Sequence, residues 1–102
     1  MSDNKFVSKI KLEQYYKGDK NWIKHSNCFS EHWIDSDFQI KLLGYLDNRI
    51  DLAQVIFYHH KKNSISWLNS KVPALDNLTP LDCLNDEILT NRLKVCLMRS
   101  PI

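Results

Sequence analysis

Residues 67–84 read WLNSKVPALDNLTPLDCL. An apolar pair, Trp67-Leu68, leads into a polar loop that holds Pro73, and the chain then turns at Thr79-Pro80. Thr79 suits a helix N-cap, because its hydroxyl can accept from the amide three residues on. Pro80 suits the first helical position, where a missing N–H loses nothing. Asp82 adds a carboxylate at the positive end of the new helix. The stretch therefore closes one helix with Trp67-Leu68 and opens another at Pro80, so its local grammar is helical on both sides.

The rest of the chain agrees. The 102 residues include only two glycines and three prolines, too few turn residues for a sandwich or barrel. Upstream, Ser36 with Gln39 predicts a capping box, and Phe38, Leu42 and Tyr45 form a stripe with Leu46 beside it. Asp51 is the expected cap of LAQVIFYHH, where Leu52, Val55, Ile56 and His59 repeat at helical spacing. Asn63 or Ser64 starts the short helix that Trp67-Leu68 closes. Downstream, Asn85 is the expected cap of a last helix with the apolar stripe Leu89, Leu93, Cys96 and Leu97. Arg92, Lys94 and Arg99 lie towards its C-terminal half, where cations are favoured, and Ser100-Pro101 stops it. At the other end, Phe6, Ile10 and Glu13 to Lys17 are spaced for a helix, though Ile10 and Leu12 alternate as a strand would. Gly18 then punctuates as a turn or C-cap. Trp22, Ile23, Phe29, Trp33 and Ile34 are the expected anchors of the segment after it. The fold expected is all-α: one domain over residues 1–102, a small bundle of about five to six short helices.

Charge and motifs exclude more than they assign. The net charge is +2, low for a nucleic-acid binder. Lys5, Lys9, Lys11, Lys17, Lys20 and Lys24 are interleaved with Asp3, Glu13 and Asp19, as on a solvated face. No basic recognition helix follows Gly18, so sequence-specific nucleic acid is not an expected partner. No apolar run approaches the length of a membrane span, and MSDNKFVSKIK has no signal-peptide core. Cys28, Cys83 and Cys96 are three in number and follow no motif, which fits a reducing, cytoplasmic setting. His25, Cys28 and His32 would share a face of a continuous helix, but their spacing matches no known zinc site, so no metal is expected. His59-His60-Lys61-Lys62 reads as a basic cluster compensating a helix C-terminus. There is no nucleophile elbow, phosphate loop or HExxH. The expectation is a binding protein without cofactor, and not an enzyme.

One resemblance goes further. Trp67-Leu68, Leu75, Thr79-Pro80-Leu81-Asp82, Leu84, Leu93, Leu97 and Arg99 resemble the toxin-binding domain of the Xre/MbcA/ParS antitoxins, over about residues 50–100. The resemblance implies a helical module that neutralises a protein toxin, usually a RES-type toxin acting on NAD, whose active site the antitoxin's C-terminal segment blocks. It makes Trp67, Leu68, Thr79, Pro80, Leu81, Leu84, Leu93 and Leu97 scaffold. It places partner contacts on the end of the last helix, at Arg92, Lys94, Met98, Arg99 and Ile102, with Arg99 the cation that matches the family. Members often pair with one another or with their toxins, so a homodimer is implied as well. Asn77 stands where the family favours glycine before Thr-Pro, and asparagine is the next-best residue for a left-handed backbone. Leu89 stands where the family has a glycine. Residues 1–49 do not resemble the DNA-binding part of Xre-type members, so operator binding is not implied. The same small, non-catalytic scaffold would also serve a phage or mobile-element inhibitor or an immunity-type protein.

Overall fold

The computed structural model describes residues 11–100, and among these the chain is all-α. The α-helices are α1 (Asp19–Asn27), α2 (Asp37–Tyr45), α3 (Ile50–His60), α4 (Ser64–Leu68), α5 (Pro80–Cys83) and α6 (Glu87–Met98). Single 3₁₀ turns at Leu12–Tyr15, Ser30–His32, Lys61–Asn63 and Pro73–Leu75 join or precede them. The expected helix through Phe6 and Ile10 lies outside the described residues. Its continuation, Leu12–Tyr15, is a 3₁₀ turn.

Caps decide where the helices start. At α2 the Ser36 hydroxyl accepts from the Gln39 amide, while the Gln39 side chain accepts from the Ser36 amide at 3.0 Å. Gln39 also accepts from the Ile34 amide and donates to the His32 carbonyl, which accounts for its full burial. At α5 the Thr79 hydroxyl accepts from the Asp82 amide at 3.0 Å, as its sequence predicts. Two other caps differ from expectation. Asp51 does not cap α3: the helix begins at Ile50, and the Asp51 carboxylate instead accepts from the Trp22 indole at 2.7 Å. The cap of α6 is Asp86 rather than Asn85: the Asp86 carboxylate accepts from the Leu89 amide, and Asn85 still belongs to the preceding turn, its backbone N–H donating to the Asp82 carbonyl. Gly18 precedes a helix instead of ending one. Its φ of +107° needs glycine, and its carbonyl accepts from the Trp22 amide.

A single core runs through both halves of the described chain. Trp22, Phe29, Leu42 and Leu46 come from the first half; Leu52, Val55, Ile56, Leu68, Leu75, Cys83, Leu93 and Leu97 from the second. Trp22 is fully buried, and a buried aromatic of this size removes more apolar surface from water than any other side chain type. Ile23 and Ile34 do not serve as anchors; they are exposed, as is Tyr45 of the α2 stripe. The helix α1 ends at Asn27, so burial there follows Trp22, Ser26 and Phe29 alone.

Around α3 the rings form a continuous layer. Phe29 lies 4.4 Å from Tyr58 and 5.3 Å from His25, and His60 stacks on Trp67 at 4.2 Å. Within the His59-His60-Lys61-Lys62 cluster the two imidazoles are half-buried among these rings, while Lys61 and Lys62 are exposed, Lys61 with its ammonium 4.6 Å from the Tyr58 ring centre. Burial lowers the pKa of His25, His59 and His60, keeping their imidazoles neutral.

The loop between α4 and α5 is built by its own backbone. Val72 and Leu78 pair as an isolated antiparallel bridge, and Asp76 and Asn77 turn the chain between them with φ of 59° and 64°. The left-handed backbone anticipated at Asn77 is therefore present, and Asp76 shares it. Leu75 closes the loop by pointing fully into the core.

Candidate functional site

The helix α6 was expected to carry the partner contacts, so its surroundings decide what it can do. Its buried set includes Leu93 and Leu97, as the stripe predicts, but also Thr90, Arg92, Lys94 and Val95. The reason is the segment at residues 12–16, which packs along the face opposite the core. Glu13 lies against Arg92, accepting from Nε at 2.8 Å and from Nη2 at 3.2 Å. Asp76 accepts from Arg92 Nη1 at 3.1 Å and from Lys11 Nζ at 2.7 Å. The fork of one guanidinium thus ties the N-terminal segment, the α4–α5 loop and the last helix together. Its hydrogen bonds hold the Glu13 carboxyl below the usual carboxylate range and raise Arg92 further above its ordinary value.

Lys94 is interior as well. Its ammonium lies 5.4 Å from the Tyr16 ring centre and 5.6 Å from that of Trp22, with the Tyr16 hydroxyl at 3.4 Å. Burial, then the charge of Arg49, lowers its pKa. Arg92 and Lys94 are therefore internal cations, 8% and 7% exposed, where the expectation had them facing a partner.

Met98 and Arg99 stand differently. They reach the end of α6, where a cleft of about 540 Å³ opens between that helix and the N-terminal segment. Tyr15, Tyr16 and Lys17 form one wall, Met98 and Arg99 the other, and Val95 the floor. The Arg99 guanidinium lies 4.5 Å from the Tyr15 ring centre. Tyr16 donates its hydroxyl to Asp19 at 2.5 Å, and burial together with that bond raises its pKa. Ile102 lies outside the described residues. Nothing in the helical pattern of α6 marks this cleft: its second wall comes from Tyr15 and Tyr16, whose aromatic pair was read only as part of a helix.

The remaining positions that the resemblance names lie in or against the core or at a cap. Leu68, Pro80, Leu93 and Leu97 are buried, and Trp67, Leu81 and Leu84 pack half-buried against the core. Thr79 caps α5. Cys83 is buried, its thiol pushed up to about 11 chiefly by that burial, and Cys96 is half-buried. Cys28 is exposed and approaches the Lys24 carbonyl.

A second hollow, of about 330 Å³, lies between Arg49, Asp86, Glu87 and Lys94, with charges of both signs on its walls. Among the described residues no group of His, Cys, Asp and Glu side chains is arranged to hold a metal, and no helix is long and apolar enough to cross a membrane. His25 and Cys28 do not extend one helical face to His32, because α1 has ended before it. No protein-family model, curated protein or solved structure matches the chain.

Proposed function

We propose that the protein is an antitoxin-like binding module that neutralises a protein toxin, of the NAD-acting RES type, through the end of α6. The observation that carries the reading is the position of Arg99. It is an exposed cation lining a cleft built from two segments, next to the half-buried Met98. Arginine on an aromatic ring, beside an apolar floor, is the composition that protein interfaces favour at their energetic centre. The contact set that follows is Met98 and Arg99 with Tyr15 and Lys17, while Arg92 and Lys94 hold the platform rigid.

The test is co-expression with a RES-type toxin, reading growth and cellular NAD. The wild-type chain restores both. Arg99→Glu weakens toxin binding roughly tenfold or more and loses the rescue, while its thermal unfolding stays close to wild type because Arg99 is exposed. Full rescue by a folded Arg99→Glu variant would falsify the assignment of this site.

A further inference from the structure

We infer that the cleft beside Arg99 takes an acidic peptide segment of the protein partner, with an aliphatic side chain seated on Met98 and the Tyr15 ring. This rests on the binding-module reading and adds the chemistry of the occupant.

The charge of the cleft is one-sided. Among its described lining residues Lys17 and Arg99 are charged, both are exposed, and no carboxylate accompanies them. Two acids nearby face cations outside the cleft: Glu13 is paired with Arg92, and the Asp19 carboxylate, which accepts from the Tyr16 hydroxyl, lies 3.9 Å from the Lys94 ammonium. The Arg99 guanidinium carbon lies 4.5 Å from the Tyr15 ring centre, and a guanidinium held on a ring face keeps its N–H groups for an incoming acceptor. Among the described residues its side chain makes no hydrogen bond or ion pair. Gln14 and Asn21 add amide groups at the rim.

The floor separates a peptide from other anions. Met98 and the Tyr15 ring, above the buried Val95, offer apolar surface that an aliphatic side chain can cover, whereas a sugar–phosphate backbone has no apolar group to place there. Charge also argues against two nearer occupants. Residues 1–10 carry Lys5 and Lys9 against Asp3, the same sign as the cleft. A two-fold dimer through this face would bring Lys17 and Arg99 against themselves.

The experiment is fluorescence anisotropy on the full chain at low salt. The probes are a labelled peptide alternating glutamate and leucine, a matched lysine–leucine peptide, and a labelled single-stranded oligonucleotide. The expected result is binding of the glutamate–leucine peptide roughly tenfold tighter than the lysine–leucine one, weakening with salt. The exposed pair Lys17→Glu and Arg99→Glu then abolishes the preference, and Lys17→Gln reduces it if the double variant does not fold. Equal binding of the two peptides, tighter binding of the oligonucleotide, no binding, a preference untouched by these variants, or a dimer that competes with the peptide each overturn the inference. Neutralisation of a toxin that depends on Arg99 without an acidic preference sinks this inference alone. An acidic preference without neutralisation sinks the antitoxin reading alone.

Discussion

Arg92 and Arg99 share one helix and have opposite fates. Arg92 is enclosed by Glu13 and Asp76; Arg99 is exposed over Tyr15. Removing Arg92 leaves a mostly buried Glu13 carboxylate without its fork, so Arg92→Ala should destabilise the fold by about 3 kcal/mol, measured by urea denaturation at neutral pH. The same pair sets an acid limit. The folded Glu13 pKa lies below its unfolded value, so the pair's contribution is present above the unfolded value of about 4.3. It is lost as pH falls through the lower, folded one. The neutral imidazoles of His25, His59 and His60 act in the same direction at higher pH: the unfolded chain takes up protons first, near about 6.5, so their share is lost on the acid side of neutrality. Urea midpoints should fall from pH 7.5 to pH 3 in two stages, and Glu13→Gln should flatten the lower stage only. At this scale the sequence names both arginines as basic residues of one helix, and nothing local separates them.

At the scale of elements, the local grammar was legible where no other group took the capping side chain or the capping position. Ser36 with Gln39 and Thr79 with Pro80 act as their types require. Asp51 and Asn85 do not: the Asp51 carboxylate is taken by the Trp22 indole, and Asn85 remains in the turn that ends α5, one residue short of the Asp86 cap. The α4–α5 loop shows what a turn residue costs. Asn77 holds φ at 64°, where an L side chain is unfavourable and glycine is not. Asn77→Gly should raise the urea-derived stability by up to about 1 kcal/mol, and Asn77→Val should lower it by about 1–2 kcal/mol. Equal stabilities for the three would mean that the loop does not keep this turn in solution.

For the whole molecule, the question is whether the N-terminal half is a separate unit. The core says it is not. Trp22 packs with Leu52 and Leu93 in one cluster and donates to Asp51 across α1 and α3. Glu13 reaches Arg92 on the far side of the last helix. Trp22→Ala should therefore cost about 3–5 kcal/mol and weaken the C-terminal half as much as its own. Tryptophan fluorescence and far-UV circular dichroism should still report one unfolding transition; two separated transitions would mean independent halves.

The sequence by itself determined the helical class, the Trp67-Leu68 end and Thr79-Pro80 start of adjoining helices, and the main apolar stripe of α6. Each of these depends on residues within a turn or two of one another, and their spacing is written in the chain. Only the tertiary structure decided that Arg92 and Lys94 lie inside and that Met98 and Arg99 border a cleft. A second segment, residues 12–16, covers the opposite face of α6, and the pairing of Glu13 with Arg92 joins positions from opposite ends of the described chain. Helical periodicity describes one face of one helix. It contains no information about what is folded against the other face.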